Sequence, residues 1–159
     1  MLDIFTVSFF GHREVDHARD VEQQVELLVS KLIEQNDYVD FLVGRNGDFD
    51  QIAASTVRRI KEHDRGKSSL IWVMPYEMAE YLENKKAYEQ YYDEVEICPE
   101  SCESHPKAAY RIRNRSMVDR SDLVVFYVTR NHGGAYQTMQ YAQRKGKRII
   151  NLAAEICKG

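Results

Sequence analysis

The run Ser121-Asp122-Leu123-Val124-Val125-Phe126-Tyr127-Val128, followed by His132-Gly133-Gly134-Ala135-Tyr136-Gln137-Thr138, decides how this chain is read. The first part is a near-continuous apolar run, the pattern of a strand covered on both faces of a parallel sheet. Residues from about Ala135 to Lys145 then read as a helix. A glycine pair between a strand and a helix lets the backbone turn tightly. It also brings bare N–H groups close to an anion at the positive end of the helix. The stretch therefore predicts a strand, a phosphate seat and a helix in that order.

The same alternation continues in both directions. Ile4 to Phe10, Tyr38 to Val43, Ser69 to Met74, Glu94 to Ile97, Leu123 to Val128 and Arg148 to Leu152 have strand length and composition. Ala18 to Gln35 is helical, with Val21, Val25, Leu28 and Leu32 on one stripe, and Phe49 to His63 carries Ile52, Thr56, Val57 and Ile60 at helical spacing. Lys107 to Arg120 starts behind Pro106, a residue suited to a first helical turn. Glu77 to Tyr92 is polar and tyrosine-rich, with only a loose apolar face from Met78, Tyr81, Leu82, Tyr88 and Tyr92. These segments predict an α/β chain, a doubly wound, mostly parallel Rossmann-like sheet of about six strands, in a single domain over 1–159.

Composition narrows the function classes. With 159 residues and 43% apolar content the chain has enough material for one core. A formal charge of -3 argues against duplex DNA as the main partner, because that affinity comes from cations displacing counterions. Without a long apolar run, no membrane association is expected. Cys98, Cys102 and Cys157 are too few and odd in number for a disulfide framework, so the reading is a cytoplasmic protein. Cys98-x3-Cys102 lacks a second ligand pair and the histidines are scattered, so neither a metal nor a cofactor is expected.

In a doubly wound sheet the ligand sits outside the carboxyl ends of the strands, where strand order reverses. Three segments lie there. Gly11-His12-Arg13-Glu14 follows the first strand and offers a glycine, a two-pronged phosphate donor and an imidazole. Gly44-Arg45-Asn46-Gly47-Asp48-Phe49-Asp50 follows the second; Asp48 is suited either to cap a helix or to meet a ligand, and Asp50 to bind a ribose hydroxyl or base edge. Neither loop contains the dinucleotide fingerprint or the Walker lysine loop. The third segment is Arg111-Ile112-Arg113-Asn114-Arg115-Ser116-Met117, whose helix starts over the carboxyl edge. Arg111 and Arg115 share one face, whereas Arg113 shares another with Met117 and is expected to lean inward as a clamp.

Phe10-Gly11-His12-Arg13, Gly44-x-x-Gly47-Asp48-x-Asp50, Arg113-Asn114 with Met117 and Ser121-Asp122, and Gly133-Gly134 with Thr138 together resemble the SLOG superfamily. That group joins DNA-processing protein A, the lonely guy phosphoribohydrolases and the YpsA-like proteins. The likeness to its small bacterial YpsA-like branch runs from Ile4 to Leu152. It implies a Rossmann-like sheet binding nucleotides or nucleotide-derived ligands at these loops. In the hydrolase branch an Arg-Lys pair and a P-G-G-x-G-T-x-x-E motif supply the cleavage machinery. Here Asn114 stands where the lysine would, and Gln140 where the glutamate would. An amide neither takes up a proton nor carries the full negative charge that an oxocarbenium-like centre requires.

The leading expectation is therefore binding of a nucleotide-type small ligand, with a sensor as one role it would serve. The residues expected to bind it are Gly11, His12, Arg13, Gly44, Asn46, Gly47, Asp48, Arg113, Asn114, Gly133, Gly134 and Thr138. Exposed tyrosines suggest a homodimer. The alternative is a hydrolase or transferase acting on an N-glycosidic bond, with Glu14 or Asp50 replacing the missing carboxylate. Single-stranded nucleic acid ranks last, because the overall charge is acidic and glutamates intersperse the tyrosines between Tyr76 and Tyr92.

Overall fold

Six strands build one sheet in the order β4-β3-β2-β1-β5-β6, and each neighbouring pair is parallel. They are β1 (Ile4–Gly11), β2 (Tyr38–Val43), β3 (Ser68–Met74), β4 (Glu94–Ile97), β5 (Leu123–Tyr127) and β6 (Arg148–Asn151). The computed structural model describes residues 2–156, so Cys157 lies outside the described residues. The central strands are buried over most of their length: in β5 all of Leu123 to Tyr127 lie inside, and in β1 Val7 to Phe10. This is what a strand sandwiched between two helical layers requires.

One layer contains α1 (Ala18–Gln35), α2 (Asp48–Lys61) and the short α3 (Ala79–Glu83) and α4 (Lys85–Tyr91). The helix α1 buries Val21, Val25, Val29, Leu32 and Ile33, an i, i+4 stripe that packs on Phe5, Val7, Phe41 and Val57. Each such side chain contributes about 1.5–3 kcal/mol of burial. The opposite layer contains α5 (Pro106–Asp119) and α6 (Gly134–Arg144), with Met117, Val118 and Ala142 against Phe10, Leu42, Val124 and Phe126. Pro106 opens α5, and His105 caps it through Nδ1, which accepts from Lys107 N–H at 3.1 Å. A last helix, α7 (Leu152–Ile156), has no counterpart in the sequence reading; Leu152 and Ala153 cover the first layer.

The tyrosine-rich segment from Glu77 to Tyr92 is two short helices, broken at Asn84. Its tyrosines do not form a helical stripe because they converge on one ring instead. Tyr81, Tyr88 and Tyr92 stand 5.9, 5.1 and 5.5 Å from Trp72 of β3. Arg45 inserts among them, 4.9 Å from the Tyr88 ring, and donates to the Tyr92 hydroxyl at 3.0 Å. Burial pushes the Tyr92 hydroxyl up to about 12.

Candidate functional site

The strand order reverses between β1 and β5, so the chain leaves these two neighbours toward opposite layers. The loops after them splay, and a cleft of about 380 Å³ opens at the carboxyl edge. Its wall on the first layer comes from Gly11, His12 and Arg13 after β1 and from Gly44, Asn46 and Asp50 after β2. The other wall comes from Tyr110, Arg113 and Asn114 of α5, Arg130 after β5, and Gly133, Gly134 and Ala135 at the start of α6. Nine of the twelve expected binding residues thus converge on one cleft. Gly47, Asp48 and Thr138 do not line it, nor does Glu14, which is exposed on its loop.

Gly47 and Asp48 hold loops together instead. The Asp48 carboxylate accepts from Val15 N–H at 3.1 Å, and its own N–H donates to Arg13 C=O at 2.8 Å. A Cβ on Gly47 would come within 2.4 Å of Arg13 Cα, so glycine here permits backbone contact between the two loops. Gly11 answers to a similar constraint, since a Cβ there would stand 2.4 Å from the Phe49 ring. Phe49 is fully buried and stacks 6.0 Å from Tyr127, so the space Gly11 leaves belongs to the core.

Arg113 leans inward, as its spacing with Met117 predicts, and only 2% of it is exposed. Its Nη1 donates to Val73 C=O at 2.7 Å and its Nε to Asn114 Oδ1 at 2.9 Å. A Cβ on Gly44 would lie 3.1 Å from both terminal nitrogens and 3.2 Å from Asp50 Oδ2, so this glycine leaves room for both charges. Burial raises the Asp50 carboxyl above its ordinary 3.8, opposed by the Asn46 N–H bond at 2.9 Å and by the charges of Arg113 and Arg45. Burial likewise lowers Arg113, opposed by Asp50. The two groups stabilise each other's ionised form at the cleft floor.

From Arg113 a hydrogen-bonded chain runs to the second helix. Asn114 Nδ2 donates to Thr138 Oγ1 at 3.3 Å, and that hydroxyl donates to Gly134 C=O at 2.9 Å. Thr138 is therefore a buried strut fixing the first turn of α6. Gln140 lies away from the cleft and donates to the Tyr136 hydroxyl at 3.2 Å.

The remaining side is open. Gly133 has φ +98°, a conformation L residues rarely adopt, and nothing lies within 4 Å of a Cβ on Gly133 or Gly134. Arg13 and Arg130 are exposed at the rim. His12 is held by Thr129 N–H, which donates to Nε2 at 2.9 Å and so leaves the neutral ring's proton on Nδ1. Burial, with Arg130 and His132 nearby, lowers its pKa below the ordinary 6.5. Backbone N–H groups at the start of an eleven-residue helix, two exposed guanidiniums and an imidazole are together the kind of groups that suit an anion.

Sequence reasoning missed Arg130 and Tyr110. A signal for Tyr110 exists, since it lies three residues before Arg113 on a helix that the sequence places over this edge. Arg130 has a signal as well, since it lies between the strand ending at Val128 and the glycine pair, in a loop that leaves the carboxyl edge.

No protein-family model matches the sequence, and no curated protein matches it. Among solved structures, DNA processing protein A from Helicobacter pylori superposes with a TM-score of 0.62 at 18% identity, over 91% of this chain and 63% of that one. That protein is described by a unique mode of binding single-stranded DNA. DNA processing protein A from Streptococcus pneumoniae gives a TM-score of 0.63 at 15% identity, over 92% of this chain and 49% of that one. The chain therefore spans less than two thirds of either neighbour. The partner expectation is corrected by the first of these. The sequence reading places a small nucleotide-type ligand first and single-stranded nucleic acid last, whereas the fold's neighbour is a protein that binds single-stranded DNA. Net charge averages over the surface, and this chain of overall charge -3 still brings Arg13, Arg113 and Arg130 to one cleft. Among the described residues no helix is long and apolar enough to cross a membrane. At these identities the likeness is one of architecture: the chain has the Rossmann-like fold found in DNA processing protein A.

Proposed function

We propose that the cleft binds nucleotide units of single-stranded DNA, with one backbone phosphate seated at the N-terminus of α6. The observation that carries this reading is the open space over Gly133 and Gly134, in a cleft at the sheet's point of reversal that Arg13 and Arg130 also line. Each charge-assisted bond to a phosphate contributes about 1.5–3 kcal/mol. Asn46 and Asp50 line the same cleft, and in this reading they meet the sugar or base. The neighbour from Helicobacter pylori supports the choice of ligand. Membership of the YpsA-like branch rests on motif order, and a cytoplasmic setting on the free thiols of Cys98 and Cys102.

The test is fluorescence anisotropy of a labelled oligothymidylate at low and high salt. The expected result is salt-sensitive binding that falls about tenfold for each of Arg13→Ala and Arg130→Ala. Both side chains are exposed, so folding is unaffected. Unchanged affinity in the double variant would overturn the proposal.

A second reading is cleavage of an N-glycosidic bond within the bound strand. One observation favours it: the Asp50 carboxyl is buried, raised in pKa and part of the cleft lining. Base release from the oligonucleotide that disappears in Asp50→Asn would support it, and intact oligonucleotide after prolonged incubation would dismiss it.

A further inference from the structure

A second groove, about 460 Å³, runs between α5 and α6 and shares Tyr110, Asn114 and Gly134 with the cleft. The two form one continuous surface. Its walls carry Lys107, Arg111, Arg115 and Arg144, all exposed. Among the described residues none of the four lies within 4.0 Å of a carboxylate oxygen, unlike Arg59, Lys61 and Arg120 elsewhere. Arg111 and Arg115 are like charges one turn apart, which is unfavourable until an anion arrives.

The groove also holds a planar element. The Tyr141 ring lies 4.8 Å from the Arg115 guanidinium carbon, 6.0 Å from that of Arg144 and 5.6 Å from Lys145 Nζ. Its hydroxyl donates to Asp119 at 2.7 Å, which fixes the ring. In a chain of net charge -3, this concentration of cations beside an aromatic ring is the composition of a surface that tracks a phosphodiester backbone. The tyrosines of α3 and α4 are engaged elsewhere, Tyr81 and Tyr88 on Trp72, and Tyr91 on Arg58 and Tyr92.

We propose that the α5–α6 groove is the path by which a single strand leaves the cleft, its phosphates on Lys107, Arg111, Arg115 and Arg144 and a base stacked at Tyr141. This rests on the reading of the cleft as a strand-binding site. Unlike that seat, the groove acts only on nucleotides beyond the first few, and it makes affinity depend on strand length.

The experiment compares oligothymidylates of about 3 and about 12 nucleotides, the longer one within the usual range of single-strand site sizes. The protein is wild type or carries Arg111→Ala, Arg115→Ala and Arg144→Ala together. The triple variant is expected to bind the short strand as wild type does and the long strand at least tenfold more weakly. Its slope of log affinity against log salt should fall by about 2, near 0.7 for each phosphate left without its cation. Unchanged affinity and slope for the long strand would overturn the groove while leaving the cleft reading intact. Equal displacement of the long strand by polyglutamate of matched charge would also overturn it, since the groove would then be an unspecific anion surface. If wild type binds neither oligomer, cleft and groove fall together.

Discussion

The two walls of the cleft are built to different ends. On the wall formed after β1 and β2, the loops are tied to each other: Asp48 with Val15, Asp50 with Asn46, and Arg13 C=O with Asp48 N–H. Gly11, Gly44 and Gly47 are small there because Phe49, Arg113 and Arg13 fill the adjoining space. At the start of α6 the glycines face emptiness and the nearby arginines are exposed. Identical residue types therefore differ in surroundings: glycine admits a neighbour on one wall and borders open space on the other. In the proposed function the tied loops of the first wall hold Arg13 in place opposite the open start of α6.

The largest effect that separates frame from seat comes from Arg113. Arg113→Ala leaves Val73 C=O and the Asp50 carboxyl buried without their donor and counter-charge, and should cost about 3–5 kcal/mol of stability. A urea melt measures this, and a variant as stable as wild type would show that Arg113 belongs to the ligand rather than the frame. Next come the glycines. Gly11→Ala drives a methyl into the Phe49 ring and should cost about 1–3 kcal/mol, whereas Gly134→Ala meets open space and should leave the melt unchanged. Equal losses at both positions would erase the distinction between the walls.

How far the sequence carries these conclusions depends on the range of the interactions. The limits of α1 and β2 are legible residue by residue, because a 3.6-residue apolar stripe and a bounded apolar run are local signals. The inward turn of Arg113 is legible from its spacing to Met117. The role of Gly11 is not, since Phe49 reaches it from the first turn of α2, and neither is the strut from Asn114 through Thr138 to Gly134, which crosses 24 residues. The Glu77 to Tyr92 segment defeats a periodic reading because its tyrosines answer to Trp72 rather than to a helical face.

A smaller effect is pH-dependent. His12 accepts a backbone N–H through Nε2, so the folded protein disfavours its protonation and its folded pKa lies below the unfolded 6.5. The unfolded chain binds the proton first as pH falls, so this contribution to stability is full above 6.5 and is lost as pH falls through the folded pKa. Comparing melts of wild type and His12→Gln over this window isolates it, because the glutamine carbonyl accepts the same bond without titrating. Parallel pH profiles for the two proteins would show that His12 makes no such contribution.

Central to the proposed function is a strand phosphate seated on the N–H groups at the start of α6. An NMR titration of the labelled protein with a short oligothymidylate tests this most directly. The largest amide shift changes are expected at Gly133, Gly134 and Ala135, with smaller changes at Asp48 and Phe49 in the frame. Saturable binding that leaves the Gly133 to Ala135 amides unmoved would contradict it.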